Sequence, residues 1–401
     1  MKYVVLVGDG MADYPIKELG ERTPLEAART PNMDFIASAG ILGRIKTIPD
    51  AMNPASDVAN LSILGYDPQQ FYCGRGPLEA ANLGVELNDG DVAFRCNLVT
   101  VSGDTLIDYS SGHISTKEAS VLVRDLDQRL GSARVRFYPG VSYRHLMVVS
   151  AGAQEHLEDV KCAPPHDIMN QSVSAHMPKG ENAEILVRLM EDSRQVLDAH
   201  EVNHVRLDLK ENPANMIWLW GQGKKPVMPS FAERFGVSGS VISAVDLIKG
   251  LGRIIGLKVI NVAGATGYYD TDYLGKANAA LASLEESDFV FVHVEAPDEA
   301  GHNGDLREKL TAIERFDNLV VGTILSAYKR KRNFRILVLP DHATPLSMRT
   351  HVADPVCFGM FGKDITGKGF AGFYEKEALN SQLFFEKGHE LMNYFIKGCA
   401  A

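Results

Sequence analysis

The sequence is short of the residues that crosslink, span or coat. Of 401 residues only five are cysteine (Cys73, Cys96, Cys162, Cys357 and Cys399), an odd number, scattered, with no C-x-x-C pair. That spacing argues against a disulfide framework or a thiolate zinc site and fits a reducing cytoplasm. No apolar run approaches the roughly 18 residues a bilayer-spanning helix needs, so no membrane partner is expected. Basic residues are scarce too: Lys plus Arg total 41 against 51 for Asp plus Glu, a formal net charge of −10. Binders of nucleic acid normally carry a basic footprint, so none is expected here. There is no Gly-x-x-x-x-Gly-Lys-Ser/Thr loop, which excludes ATP use of the P-loop type. Met1 runs straight into a strand-like segment ending in Gly8-Asp9-Gly10, so no signal peptide is expected.

What remains is a chain with 45% hydrophobic and 23% charged residues, the balance of a globular protein. Its length predicts two to three domains, or one large domain with an insertion. Lys2 to Val7 reads as a buried parallel strand. A helix is expected from Pro24 to Ala39, with Thr23 as N-cap, Pro24 at the first position and Gly40 as the stop. A strand from Ile41 to Ile48 and a helix from Ser56 to Gly65 come next. From about Arg75 to Gly223 the texture changes: Val92–Val101, Thr105–Tyr109 and Arg134–Pro139 alternate as half-buried strands do, between helices near 116–130 and 182–200. Buried strands then return at Lys258–Val262, Phe289–Val294 and Arg335–Leu339, with an amphipathic helix over Leu306–Tyr328 between the last two. The predicted fold is α/β, a doubly wound and mostly parallel sheet formed by residues 1–74 and 226–401, with a smaller α/β domain inserted over 75–225.

Three of the buried strands end in acids: Asp9, Asp298 and the pair Asp341-His342. In open α/β sheets the strand C-termini face the ligand crevice, so these carboxylates converge from distant parts of the chain. Uncompensated, they repel one another, and bound cations are the usual remedy. His302 lies four residues beyond Asp298 and His351 nine beyond His342. Mixed carboxylate and imidazole ligands suit Mn²⁺ or Zn²⁺ better than Ca²⁺, and the set is large enough for two ions. Each residue has a plainer alternative, the acids as helix caps and His302 as a turn residue. The joint occurrence at three strand ends favours a metal site. Ser56, where a loop meets a helix, is the candidate nucleophile, its alternative being a simple N-cap. Asp57 is either a first-turn acid or a partner of the site.

The segments Val7-Gly8-Asp9-Gly10-Met11-Ala12-Asp13, Ser56 to Pro68, Ala296 to His302 and Pro340-Asp341-His342 resemble the alkaline phosphatase superfamily. More closely, nearly the whole chain resembles the archaeal-type cofactor-independent phosphoglycerate mutases. The resemblance implies one ion on Asp298, His302 and His351, and a second on Asp9, Ser56, Asp341 and His342, with Ser56 transiently phosphorylated. It implies two divalent ions, Mn²⁺ first, with Zn²⁺, Co²⁺ or Mg²⁺ as alternatives, and no 2,3-bisphosphoglycerate. The implied substrate is a small phosphorylated carboxylic acid, bound by an inserted module that closes over the core. Asn53-Pro54-Ala55 departs from the glycine that relatives often carry before the serine.

Candidate substrate residues in the insert are His113, Arg144, His166 and Asp167, with Arg75 and Arg95 as further anion contacts. A guanidinium clamps carboxylate or phosphate through two parallel hydrogen bonds. The expected activity is interconversion of 2- and 3-phosphoglycerate through a phosphoserine. The alternatives are a homoserine kinase-like phosphotransferase, a phosphatase or phosphonate hydrolase, and a non-catalytic Rossmann-like binding module.

Overall fold

The computed structural model describes residues 1–150, 155–329, 331 and 333–398, so Cys399 lies outside them. Its strands, in chain order, are β1 (Lys2–Gly8), β2 (Ile41–Ile45), β3 (Asp91–Ser102), β4 (Thr105–Asp108), β5 (Val135–Val141), β6 (Arg144–Ser150), β7 (Met216–Lys224), β8 (Gly239–Ile242), β9 (Lys258–Val259), β10 (Phe289–Val294), β11 (Phe334–Leu339), β12 (Val356–Gly362) and β13 (Phe384–Phe385). The chain divides into two compact units, one of Met1–Tyr72 with Met228–Ala401, the other of Cys73–Val227.

The first unit is built on an eight-stranded sheet, in the order β13-β2-β12-β11-β1-β10-β8-β9. β1 lies at its centre, parallel to β10 on one side (Val7 opposite His293) and to β11 on the other (Val7 opposite Leu339). β12 is the exception, running antiparallel to both β11 and β2. β10 and β11 are buried along their whole length, as central strands covered by helices on both faces must be. Val4, Leu6, Val290, Val292, Ile336 and Val338 form the core with Phe316, Ile324 and Tyr273 from the helices.

Two helices differ from expectation. The segment 24–39 is two helices, Pro24–Ala27 and Pro31–Ala39, not one. Pro31 disfavours the helical conformation for Thr30, which sits at φ −123°, ψ 56°. Thr23 does cap the first helix, accepting from the Glu26 backbone N–H. The helix of residues 306–328 runs through as predicted but widens to a π-turn over Phe316–Val321. The wide turn aims the buried Asp317 carboxylate at the start of the helix Pro31–Ala39. There it accepts from the Met33 N–H at 2.7 Å and the Asn32 N–H at 3.3 Å, satisfying donors that a helix start leaves open, and from the Asn32 side-chain amide at 2.9 Å.

The second unit carries a five-stranded antiparallel sheet in which β3 pairs with β4, β6 and β7, and β5 pairs with β6. Phe94, Leu98, Trp218 and Met147 build its core with Leu122 and Leu126 of the helix Thr116–Leu130. That helix opens with a capping box between Ser115 and Glu118.

Candidate metal centre and nucleophile

Because β11, β1 and β10 are parallel neighbours, their C-terminal ends deliver Asp341, Asp9 and the Ala296–Asn303 helix to one place. Asp9, Asp298, Asp341 and His342 are all buried there. Asp298 meets three groups: His302 Nε2 at 3.2 Å, His351 Nε2 at 3.4 Å, and the Thr344 hydroxyl, which donates to its Oδ1. The two imidazole Nε2 atoms lie 2.9 Å from each other. These separations match those between neighbouring ligands of a cation with bonds of about 2.1 Å. The Arg349 carbonyl accepts from His302 Nδ1 at 3.0 Å, which turns Nε2 inward toward Asp298.

His342 is the hinge of the second cluster. Its Nε2 lies 3.1 Å from Ser56 Oγ, 3.3 Å from Asp9 Oδ1 and 3.7 Å from Asp341 Oδ2. Its Nδ1 meets the Thr344 hydroxyl at 3.2 Å, which fits the tautomer whose Nε2 lone pair faces Ser56. Burial pushes the His342 imidazole down to about 4, outweighing the opposite pull of Asp341, so the ring is neutral at pH 7. Ser56 is the first residue of its helix, Ser56–Ile63, and caps nothing; the N-cap position belongs to Ala55. The hydroxyl is thereby left for His342. Asp57 is buried, accepting from the Tyr72 hydroxyl and from the Val58 N–H, each at 3.0 Å.

The electrostatics show what the cluster needs. Burial, then the charges of Asp341, Asp298 and Glu295, push the Asp9 carboxyl well above the usual carboxylate range. Burial also acts to raise Asp298, but the hydrogen bonds of His302 and His351 prevail and hold it well below that range. His302 is raised to about 9, burial opposing and the Asp298 hydrogen bond and charge prevailing. Asp9 Oδ1 and His293 Nε2 are buried without a properly aligned hydrogen-bond partner. Buried oxygens and nitrogens of this kind, facing one another among acids, are a donor set that a divalent cation fits.

Three members of this neighbourhood escaped the sequence reading. His293 is fully buried on β10, its Nε2 3.1 Å from Asp9 Oδ2 and 3.9 Å from Asp341 Oδ2. Its signal was a single imidazole in the otherwise apolar run Phe289–Val294. Asn60, one helical turn beyond Ser56, donates to Asp341 Oδ2 at 2.7 Å and to the Ser56 carbonyl at 2.8 Å. Thr344, two residues past His342, touches both clusters and had no signal of its own.

The insert's candidates lie in the second unit. They share a line of rings: His113 packs on Tyr143 at 6.3 Å, Tyr143 on Tyr109 at 5.6 Å, Tyr109 on His166 at 6.3 Å, and His166 on Trp220 at 5.3 Å. Arg75 and Arg95 stack over Trp220 and Arg144 over Tyr143, so three guanidinium groups border the line. Arg95 is buried and paired with Glu79 at 3.3 Å, while Arg144 is exposed. Asp167 is exposed beside His166, 3.7 Å away. His113 sits in a turn at φ +51°, held through Asp108, which accepts from the Ser110 and Gly112 backbone N–H groups.

The chain is similar over its whole length to curated proteins of one name. The model of the 2,3-bisphosphoglycerate-independent phosphoglycerate mutases matches residues 37–203. A protein of that name from Methanosarcina acetivorans is 51% identical over 401 residues, covering 99% of this chain and 100% of the relative. Among solved structures, a Pyrococcus horikoshii protein aligns with a TM-score of 0.84 at 30% identity, over 99% of this chain and 96% of the other. A cofactor-independent phosphoglycerate mutase from Thermoplasma acidophilum aligns with a TM-score of 0.65 at 26% identity, over 99% of both chains.

Proposed function

Because the chain belongs to the 2,3-bisphosphoglycerate-independent phosphoglycerate mutase family, we propose that Ser56 carries the phosphoryl group while 2-phosphoglycerate and 3-phosphoglycerate interconvert. One observation supports Ser56 most: its hydroxyl is 3.1 Å from a neutral, buried His342 and is not spent on capping its own helix. Asp298, His302 and His351 would hold one divalent ion, and Asp9, Ser56, Asp341 and His342 a second, with Mn²⁺ first among the alternatives. Such ions supply charge for the transferring phosphoryl oxygens and lower the pKa of a bound hydroxyl.

The protein's own residues do the rest. Ser56 Oγ attacks the phosphorus, the bond from phosphorus to the glycerate oxygen breaks, and the proton Ser56 loses ends on that glycerate oxygen. The other glycerate hydroxyl then attacks the phosphoserine, the Ser56–phosphorus bond breaks, and the proton of that hydroxyl returns to Ser56 Oγ. Asn60 holds Ser56 and Asp341 in one arrangement, and the N-terminus of the helix Ser56–Ile63 favours the anion. The Arg144, His113, His166 and Asp167 surface of the second unit is read as the site for the anionic glycerate, because guanidinium groups bind carboxylate bidentately. Among the described residues no helix is long and apolar enough to cross a membrane. Cys96, Cys162 and Cys357 are free thiols, as a reducing cytoplasm favours.

The test is a coupled assay with purified protein, Mn²⁺ and 3-phosphoglycerate. Formation of 2-phosphoglycerate without added bisphosphoglycerate, with ³²P trapped on Ser56 after acid quench, is the expected result. Phosphorylation of homoserine from ATP without isomerisation would overturn the reading.

A further inference from the structure

Lys309 is a wholly buried lysine that the reaction as described does not use. It lies in the helix Leu306–Arg315 and its ammonium is fully engaged. Nζ donates to Asp13 Oδ2 at 2.7 Å, to the Thr344 carbonyl at 2.8 Å and to the Ala12 carbonyl at 3.4 Å. Ala12 and Asp13 belong to the loop after Asp9; Thr344 belongs to the loop after Asp341 and His342. Asp13 reinforces the link, because its Oδ2 also accepts from the Leu346 N–H at 3.1 Å. Behind it, Glu375 accepts from the Asp13 N–H and from the Thr23 hydroxyl, anchoring the first loop in the body of the unit.

Resting on the metal reading above, we propose that Lys309 is a positioning residue that sets the distance between the two ligand-bearing loops. Beyond Gly8 and Leu339 the regular ladder ends, and the two loops meet only through single bridges of Met11 and Ala12 with Ala343 and a Thr344 N–H donated to the Ala12 carbonyl at 3.3 Å. Lys309 ties both to one rigid helix. Thr344 carries the constraint inward: its carbonyl is held by Lys309 while its hydroxyl contacts Asp298 and His342. A buried ammonium suits the task because its three donors reach three acceptors on two loops at once. Supporting groups behind metal ligands of this kind are typically worth about 10- to 100-fold in metal affinity.

The experiment titrates Mn²⁺ into the full-length chain by calorimetry and compares the wild type with the double variant Lys309→Met/Asp13→Asn. The double variant removes both charges, so no unpaired charge is left buried to unfold the protein. The expected result is Mn²⁺ binding weakened by about 10- to 100-fold in a variant whose unfolding midpoint in EDTA stays close to that of the wild type. Wild-type Mn²⁺ affinity in the folded variant overturns the proposal. If the double variant does not fold, the same titration on Lys309→Gln/Asp13→Asn decides, since glutamine keeps a donor near Thr344, leaves no buried charge unpaired and cannot reach three acceptors. A wild type that takes up no Mn²⁺ defeats the metal reading itself, a distinct outcome from a variant that binds as well as the wild type.

Discussion

If the buried acids and imidazoles of the first unit bind two divalent ions, adding Mn²⁺ should stabilise that unit in proportion to the logarithm of its concentration. Ligand bound only by the folded state contributes RT ln(1 + [L]/Kd), about 2.7 kcal/mol for each ion when its concentration is a hundred times Kd. The first unit, Met1–Tyr72 with Met228–Ala401, contains roughly 250 residues. A domain of that size shifts its Tm by about 2–4 °C per kcal/mol, so each ion is worth about 5–11 °C. The second unit contributes none of the seven proposed ligands, so its own unfolding should not respond. Differential scanning calorimetry across an Mn²⁺ series, with an EDTA control, separates the two. Asp298→Asn should remove about half of the gain, because it strips the ligand shared by His302 and His351 while leaving the Asp9 cluster intact. An Mn²⁺-independent midpoint, or a full gain retained in Asp298→Asn, would refute the reasoning.

Four further outcomes are expected. Ser56→Ala should lower kcat by about 10⁴-fold or more and abolish the ³²P-labelled protein, while native mass spectrometry of the purified variant shows an intact fold that keeps the ion on Asp298, His302 and His351. Arg144→Ala should raise KM for 3-phosphoglycerate by about 10- to 100-fold, the cost of one charged hydrogen bond, leaving Mn²⁺ affinity unchanged in calorimetry. Gly10→Ala should destabilise by at least about 1–2 kcal/mol, since Gly10 sits at φ +62° and an added Cβ would lie 2.7 Å from the Asp298 Cα and from the Thr344 hydroxyl. Urea unfolding reads that loss, and a neutral effect would contradict the close approach of the two loops. Protons compete with the ion for His302, whose folded pKa of about 9 lies above its usual value of 6.5. In EDTA the stabilisation from protonated His302 should be complete below pH 6.5 and fade as pH rises through about 9. Mn²⁺ affinity should climb across the same window, by up to about tenfold per pH unit; a flat profile would remove His302 from the ligand set.

The convergence of Asp9, Asp298 and Asp341 was legible because parallel topology has a fixed geometry: buried β-branched runs become adjacent strands, and the residues at their C-terminal ends gather along one edge of the sheet. Ser56 was legible as a candidate only jointly with them. Its difference from a cap is an orientation relative to His342, 286 residues away, which no local pattern carries. His293 and Thr344 were illegible for a related reason. A histidine inside Phe289–Val294 satisfies the strand pattern as well as a core residue does, and only the carboxylate opposite gives it meaning. The division of residues 24–39 into two helices was missed although Pro31 signals it, because Pro24 and Gly40 supply plausible ends for one longer helix. The π-turn at Phe316–Val321 answers to a tertiary demand, the need of Asn32 and Met33 for an acceptor, and leaves amphipathic periodicity almost unchanged.

The central place of β1 sets a timetable for synthesis. Tyr3 finds its partners only in Phe289 and Arg335, so the first strand made is among the last to be paired. At about 5–20 residues per second, roughly a quarter of a minute to a minute separates its emergence from that of β10. Throughout that interval Val4-Val5-Leu6-Val7 is an unpaired apolar edge, the kind of segment that invites association with other chains. The Cys73–Val227 unit draws its whole sheet from its own residues and can be complete before β10 exists. The nascent chain therefore passes through a state with a finished middle and an open beginning. Chaperone dependence in this protein should trace to β1 and β2, whose partners are made roughly 250 residues or more after them.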